Sequence, residues 1–144
     1  MKVIGKGVIM MWRIVNLVTK SRNQLVDITS AVREKVGESG IRNGVCYVFI
    51  PHTTAGVTIN ENADPDVIRD LLRGLDQLAP VNGGYHHREG NSDAHIKAAL
   101  LGSSVIVPVV DGKLGLGTWQ GIYFCEFDGP RHRTYKVGIT GSKE

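Results

Sequence analysis

The chain has 144 residues, of which 42% are hydrophobic and 22% are charged. This composition is typical of one globular domain spanning residues 1–144, and it excludes a disordered, collagen-like or coiled-coil protein. The formal net charge of +3 is small and scattered along the chain, so it allows an anionic ligand but does not indicate a nucleic-acid partner. No apolar run approaches the ~20 residues that cross a bilayer, and no signal peptide is recognisable, so we expect a cytoplasmic protein without membrane contact.

The first elements alternate between strand and helix patterns. Residues 7–19 are rich in Val, Ile, Leu, Met and Trp and predict a long strand, whose character resumes at Leu25 and Val26. Asp27 is a candidate N-cap of a first helix, because apolar residues follow it at helical spacing. Gly37 and Gly40 are expected to end that helix.

Two strands and the clearest helix follow. Residues 45–50 are almost all apolar and predict a short strand buried on both faces, and residues 54–59 predict another. Asp64 and Pro65 have the capping carboxylate and first-position proline of a helix start. That helix is expected to continue to Leu78.

The remaining chain predicts one more helix and then only strands. After a polar loop over residues 82–91, Ser92 is a candidate cap of a third helix that buries Ile96, Ala99 and Leu100. The predicted strands that follow cover residues 104–110, 114–118, 119–127 and 134–140. The fold class is therefore α+β, with mostly antiparallel strands and about three inserted helices.

Cys46 and Cys125 lie far apart, each within an apolar run. Two isolated cysteines without a secretory signal are expected to be buried free thiols. The sequence therefore predicts no disulfide framework.

Three histidines from separate elements form a candidate site for a divalent metal. They are His52 after a buried strand, one of the adjacent His86 and His87, and His95 near a helix start. A three-histidine site with an open fourth position is typical of catalytic zinc. The helix dipole keeps an imidazole near the N-terminus neutral and also attracts anions, although a histidine at that place can equally be plain surface. Neighbours in an extended loop point in opposite directions, so only one of His86 and His87 is expected to face the site.

Other polar residues are open to more than one interpretation. Glu61 and Asp64 are candidates for a general base or for partners of metal ligands, although helix capping alone explains Asp64. Trp119 is either a core residue or a platform for a ligand. His132, between two arginines, is expected to be exposed to solvent.

The glycine-rich segment over residues 112–117 does not match a nucleotide-binding motif. It has neither the P-loop spacing nor the dinucleotide fingerprint, and strand-like sequence follows it where both motifs need a helix. The chain also lacks Gly-x-Ser-x-Gly and Cys-x-x-Cys motifs. Kinase, nucleotide-fold and thioredoxin functions are therefore excluded.

Taken in order, several motifs of this chain resemble the YjbQ-like family of small proteins, and the resemblance covers most of the sequence. The motifs are His52-Thr53-Thr54-Ala55, Asn60-Glu61-Asn62-Ala63-Asp64-Pro65, Tyr85-His86-His87, Gly90-Asn91, Ala94-His95-Ile96-Lys97, Leu101-Gly102-Ser103-Ser104, Leu116-Gly117-Thr118-Trp119-Gln120-Gly121 and Glu126-Phe127-Asp128-Gly129-Pro130-Arg131. The resemblance implies an α+β fold with an antiparallel β-sandwich, assembled as a homotrimer, with histidines near a metal or anion site.

By position, the resemblance also assigns expected roles to single residues. The metal ligands would be His52, His87 and His95, holding zinc or magnesium. The catalytic residues would be Glu61, Asp64 and Gln120. The substrate-binding residues would be Thr53, Thr54, Asn60, Asn62, Trp119 and Arg131.

Some members of the family are described as a secondary thiamine-phosphate synthase. The resemblance therefore implies a metal-dependent enzyme acting on small phosphorylated molecules, with thiamine-phosphate synthesis as the specific expectation. Two alternatives remain, a non-catalytic trimer that binds a small anionic metabolite or a metal, and a metal-dependent hydrolase. Turnover by the metal-loaded protein separates enzyme from binder, and the product formed separates synthase from hydrolase.

Overall fold

A computed structural model describes residues 2–3 and 7–144, which form strands and three helices. The strands are β1 (Lys2–Val3), β2 (Ile9–Val18), β3 (Gln24–Asp27), β4 (Asn43–Phe49), β5 (Ala55–Glu61), β6 (Ser104–Val110), β7 (Lys113–Leu114), β8 (Gln120–Glu126) and β9 (His132–Ser142). The helices are α1 (Thr29–Ser39), α2 (Pro65–Leu78) and α3 (Ser92–Leu101). No helix of the described residues is long and apolar enough to span a bilayer. The prediction about a signal peptide concerns in part residues 1 and 4–6, which lie outside the described part.

Two antiparallel sheets face each other across the main core. The larger sheet has the order β1-β2-β9-β4-β6-β7 and the smaller one the order β3-β8-β5. The core between them is built from inward side chains of both sheets and of α1, including Cys46, Val137, Phe124 and Val32. This arrangement confirms the predicted α+β sandwich.

Strand β8 is buried on both faces and joins the sandwich to a helical layer. Ile122 and Phe124 point into the main core, whereas Tyr123 and Cys125 point to a second core beneath α2 and α3. The alternation of side chains along a strand produces these two faces. The three layers are thus the larger sheet, the smaller sheet, and the pair α2 and α3.

Two predicted helix caps are wrong by one residue. The N-cap of α1 is Ile28, and that of α3 is Asn91. Asp27 still accepts a hydrogen bond from the main-chain nitrogen of Thr29 at 2.9 Å. Its carboxylate therefore binds the first residue of α1, although Asp27 precedes the N-cap by one residue. The prediction for α2 is confirmed, because Asp64 is its N-cap and accepts from the nitrogen of Asp66 at 2.9 Å.

The predicted inward face of α3 is also wrong. Ile96, Ala99 and Leu100 point outward, and the buried residues are Asp93, Ala94, Lys97 and Ala98. Counting apolar side chains misidentified this face because charged residues seat the helix.

Three strand predictions need correction. Strand β4 is buried on one face only, because Cys46 and Val48 are buried while Phe49 is 39% exposed. Of the strand predicted over 114–118, only Leu114 pairs with a neighbour, as part of the two-residue β7. The last strand is longer than predicted and runs from His132 to Ser142, because it pairs with β2 and β4 along its length.

Both cysteines are buried free thiols, as predicted. Burial raises the pKa of Cys46 to about 12 and that of Cys125 to about 12. Because the thiolate is the reactive form, neither cysteine is a nucleophile at neutral pH.

Candidate functional site

Two adjoining cavities lie where β4 leaves the larger sheet and β5 enters the smaller one. The first, of about 500 Å³, contains His52, Arg131 and Arg133 in its wall. The second, of about 320 Å³, is bounded by His52 and by His95 of α3. Because the two cavities share His52, Thr53 and Ser103, we treat them as one site and call it the histidine–arginine site.

His52 is held at the boundary of the two cavities by the start of β9. Its Nε2 lies 2.9 Å from the carbonyl oxygen of Thr134 and 3.2 Å from the nitrogen of the same residue. When Nε2–H donates to this carbonyl, Nδ1 carries the lone pair that can bind a ligand. Burial lowers the pKa of His52 and the positive charges of Arg133 and Arg131 lower it further, against the opposing effects of the Thr134 contact and Glu126. The ring is therefore neutral at pH 7.

Arg133 is a buried cation fixed by a buried carboxylate. Its side chain is 3% exposed and that of Glu126 is 0% exposed. The Nε of Arg133 donates to Glu126 Oε1 at 2.8 Å, and Nη2 donates to Glu126 Oε2 and to the hydroxyl of Thr54 at 2.9 Å. Nη1 donates to none of the described residues, so it is the nitrogen left for an anion in the first cavity.

Glu126 is fully satisfied by the groups around it. Thr19 donates to Oε1 at 2.7 Å, and the nitrogens of Phe127 and Asp128 each donate to Oε2 at 3.0 Å. Burial alone would raise the pKa of Glu126, but the hydrogen bonds from Arg133, Thr19 and Asp128 outweigh it and hold the pKa below its usual value. Glu126 is therefore an anion at neutral pH and keeps Arg133 in place.

Arg131 brings a second, half-exposed cation to the first cavity. Its main-chain nitrogen donates a hydrogen bond to the hydroxyl of Thr19 at 3.0 Å. Its guanidinium is 50% exposed and lies 3.7 Å from the carboxylate of Asp128, a contact too long to be a hydrogen bond. The side chain is thus free to turn toward an anion.

His95 and His87 lie next to each other at the far side of the site. Their ring centroids are 5.4 Å apart and their planes are nearly perpendicular. His87 is thus the member of the adjacent pair that lies beside His95, and both His86 and His87 are exposed. His132, as predicted, is exposed.

The donor chemistry of the histidines suits a divalent metal. Three imidazoles come from three different elements, and the main-chain contact of His52 is the kind of support that orients a metal-binding ring. Among residues 2–3 and 7–144, however, no three His, Cys, Asp or Glu side chains are grouped closely enough to hold an ion. The rings of His87 and His95 already lie 5.4 Å apart, so a shared ligand set requires this pair and His52 to move closer together.

The other predicted site residues lie at the opposite end of the smaller sheet. Glu61 is paired with Gln120, and the nitrogen of Asn62 donates to the carbonyl of Trp119 at 2.9 Å. We call this set the asparagine–tryptophan end, and its members are Asn60, Glu61, Asn62, Asp64, Trp119 and Gln120.

The length of β5 separates this end from the histidine–arginine site. Its seven residues, Ala55–Glu61, span about 20 Å at the usual rise of a strand. Trp119 is 63% exposed, so it is not a core residue. The structure thus brings His52, Thr53, Thr54, Arg131, His87 and His95 toward one place and leaves the other six predicted residues elsewhere.

Comparison with known proteins assigns the chain to a family. The sequence profile described as UPF0047 protein YjbQ-like matches residues 13–142. A UPF0047 protein of Methanocaldococcus jannaschii is 52% identical over 125 residues, covering 87% of this chain and 91% of that protein. This chain belongs to the YjbQ-like UPF0047 family.

Solved structures of the YjbQ-like family share the fold. A family member from Clostridium acetobutylicum matches with a TM-score of 0.87 and 57% identity, covering 88% of this chain and 98% of that one. A protein of Sulfolobus solfataricus, described as of unknown function, matches with a TM-score of 0.91 and 35% identity, covering 94% and 99% of the two chains. The resemblance in the sequence is therefore confirmed, and it brings no established activity with it.

The sequence analysis missed two residues of the histidine–arginine site, Arg133 and Ser103. Arg133 could have been found from the alternation of side chains along β9, because residues two apart in an extended segment share a face. Arg131 and Arg133 both reach the first cavity while His132 between them is exposed. Ser103, in the short connection from α3 to β6, was marked only by the motif Leu101-Gly102-Ser103-Ser104 of the family resemblance, which assigned it no role.

The N-terminus of α3 is already occupied by a carboxylate. Asp93 lies in the first turn and is fully buried, where it complements the positive end of the helix dipole. An anionic ligand is therefore better placed at the arginines than at this helix end.

Proposed function

We propose that the protein is a metal-dependent enzyme that acts on small phosphorylated molecules at the histidine–arginine site. The observation that carries the proposal is the shared wall of the two cavities, which puts two arginines on one side of His52 and His95 on the other. A phosphate at the arginines and a metal at the histidines would then be neighbours. We place this activity in the cytoplasm, in keeping with the two unpaired cysteines.

The phosphate would be bound by charged and hydroxyl donors of the first cavity. Nη1 of Arg133 is fixed in place by Glu126 and Thr54, and Arg131 is free to move toward the ligand. Thr53 and Ser103 add exposed hydroxyls at the boundary with the second cavity. Fixed donors of this kind stabilise a phosphate without reorganising when charge develops on it.

The metal would be held by His52, His87 and His95. Three imidazole ligands favour zinc, whereas magnesium prefers oxygen ligands. A bound divalent ion supplies neutralisation of charge on a diphosphate leaving group. The predicted roles of Asn60, Glu61, Asn62, Asp64, Trp119 and Gln120 stay predictions.

Thiamine-phosphate synthesis is the reaction that we propose to test first. A ring nitrogen of the thiazole phosphate donates its electron pair to the methylene carbon of hydroxymethylpyrimidine diphosphate. The carbon–oxygen bond to the diphosphate breaks, and pyrophosphate leaves with that electron pair. Arg131 and Arg133 would stabilise the leaving pyrophosphate, whose charge grows as the bond breaks.

Turnover by purified protein tests this proposal. Both precursors are supplied with magnesium, manganese or zinc, and thiamine phosphate and pyrophosphate are measured against a no-enzyme control and the His52→Ala variant. Equal amounts of both products that depend on a metal and on His52 would support the synthase. No condensation product with any of the three metals would contradict it, and release of phosphate alone would favour the hydrolase.

We further propose that the protein is a homotrimer. The outward face of the larger sheet carries large apolar side chains that no described residue covers, namely Trp12 (48% exposed), Ile14 (66%), Phe49 (39%) and Ile106 (63%). Cross-strand pairing puts Trp12, Gly138, Tyr47 and Ile106 in one row across four strands. A continuous exposed apolar surface of this kind is typical of an interface, and we assign it to further copies of the chain.

Light scattering at low micromolar concentration tests the assembly. We expect three times the 15.7 kDa of one chain and a lower mass for Ile106→Glu, which puts a charge into the apolar face. Lys113→Glu, at an exposed position of the neighbouring β7, is the control for added negative charge. A wild-type mass of one chain would contradict the trimer.

A further inference from the structure

Helix α3 buries two charged side chains beside Ala94 and Ala98, while Ile96 and Leu100 are exposed. Asp93 and Lys97 are 0% and 1% exposed, whereas Ile96 and Leu100 are 38% and 57% exposed. Successive helical residues differ by about 100° around the axis, so the midpoints of these two pairs lie about 60° apart on α3. Burial of Ile96 and Leu100 in place of the charged pair would require the helix to turn by about that angle.

Three side chains around α3 hold the two charged residues. Arg22, in the connection from β2 to β3, donates from Nη2 to Asp93 Oδ1 at 3.0 Å. The Nζ of Lys97 donates to Asn23 Oδ1 at 3.2 Å and to the carboxylate of Asp76 on α2. The contacts therefore reach α3 from a loop on one side and from a helix on the other.

His95 lies between Asp93 and Lys97 in the sequence of the helix, so the rotation of α3 decides where its ring points. With the charged residues inward, His95 faces the cavity that it shares with His52 and lies beside His87. We propose that Lys97 and Asp93 are positioning residues, which fix the rotation of α3 and so keep His95 in the histidine–arginine site. The proposal depends on the proposed function only in treating His95 as a metal ligand.

The chemistry of these contacts makes positioning separable from stability. An ion pair and its hydrogen bonds have a direction, while apolar contacts between a helix and a sheet do not. Replacing both partners of a buried ion pair by apolar side chains is often neutral for stability, whereas removing one partner is costly when the other stays buried and unpaired. When Lys97 is removed, Asp76 stays hydrated because it is 53% exposed, and the buried Asp93, whose Oδ2 lies 4.0 Å from Nζ of Lys97, keeps its hydrogen bond from Arg22.

The test is the Lys97→Met variant, with Lys35→Met as the matched control. Lys35 forms an ion pair with Glu38 at 3.5 Å on the surface of α1, away from the site. In the metal-free proteins, the nuclear Overhauser effect between the rings of His87 and His95 reports the position of α3, and thermal unfolding reports stability. Titration with zinc then reports the metal affinity of the same samples.

We expect Lys97→Met to fold, to lose the ring contact, and to bind zinc at least tenfold more weakly, as is typical when a group supporting a metal ligand is removed. Lys35→Met should retain both properties. A folded Lys97→Met protein that keeps the ring contact would overturn the inference, whatever its zinc affinity. Loss of the ring contact in a protein whose wild type binds no zinc would support the inference and refute the proposed metal site.

If Lys97→Met does not fold, Asp76→Asn provides the same test at a half-exposed position. This change removes the charge that Lys97 pairs with and leaves the amine its contact with Asn23. A weakened ring contact in Asp76→Asn is the expected result. An unchanged contact would overturn the inference.

Discussion

The two ends of strand β5 differ in how their polar side chains are held. At the start of the strand, the Glu126–Arg133 pair is buried and its hydrogen bonds involve Thr19 and Thr54 from distant parts of the chain. At the other end, the polar groups bond mainly to close neighbours, as Gln120 does with the nitrogen of Gly117 at 2.8 Å. The first end is built by the tertiary fold, and the second by local turns.

This difference distinguishes a candidate ligand site at the start of β5 from an exposed surface at its end. Cavities of about 500 and 320 Å³ adjoin the first end. Five of the best-formed cavities of the described residues do not include Asn62, Trp119 or Gln120 in their walls. A ligand of the single chain is therefore expected at the start of β5 and not at its end.

The largest difference should appear in stability. Glu126→Gln leaves the buried Arg133 without a counter-charge, and breaking such a pair costs about 3 kcal/mol of unfolding free energy. Glu61→Gln, at the other end, should change it by less than about 0.5 kcal/mol, because this side chain is partly exposed and makes no hydrogen bond to the described residues. Urea denaturation at pH 7 measures both variants. Equal losses of unfolding free energy in Glu126→Gln and Glu61→Gln would contradict the distinction between the two ends of β5.

The pH dependence of the same two variants sharpens the comparison. Because the pKa of Glu126 is below its ordinary value of 4.5, its ionised form stabilises the fold above that pH, and this contribution is lost as the pH falls. The unfolding free energy of the wild type and of Glu61→Gln should therefore decrease below about pH 4.5. Glu126→Gln should show a shallower decrease. The same slope in all three proteins would contradict the assignment of Glu126.

Metal binding should depend on three of the five histidines. Loss of a ligand should weaken zinc binding by at least the ~10–100-fold typical of changes around a metal site, so His52→Ala, His87→Ala and His95→Ala are each expected to bind zinc that much more weakly. His132→Ala and His86→Ala should bind zinc like the wild type, since neither belongs to the proposed ligand set and His87 is the member of the adjacent pair that lies beside His95. Calorimetry measures the affinities after circular dichroism has confirmed folding. An equal loss at His132 and His95 would refute the proposed ligands.

The smallest of these effects concerns anion binding. Arg131→Gln removes one charge-assisted contact, worth about 1.5 kcal/mol or about tenfold in affinity for pyrophosphate. Arg69→Gln is the matched control at the other end, because Arg69 is also an exposed arginine beside a carboxylate, that of Asp66 at 3.1 Å. Calorimetric titration with pyrophosphate compares the two variants. A larger loss of pyrophosphate affinity in Arg69→Gln than in Arg131→Gln would contradict the placement of the anion at the start of β5.

The sequence predicted local structure better than the placement of charges. The helix start at Asp64 and Pro65 depends on neighbouring residues, so it could be identified from the sequence. The inward face of α3 could not, because its rotation is set by Arg22 and Asp76, which are distant in sequence. The same limit applies to the site, since His52 and Asn62 lie close together in the sequence while an extended strand between them carries them apart.

Chemical-shift mapping with pyrophosphate tests the central claim most directly, because it observes both ends of β5 in one experiment. We predict that the amide signals of His52, Thr53, Ser103 and Arg131 shift on titration, while those of Asn62, Trp119 and Gln120 do not. Shifts confined to the asparagine–tryptophan end, or equal shifts at both ends, would contradict the claim that the start of β5 is the ligand site.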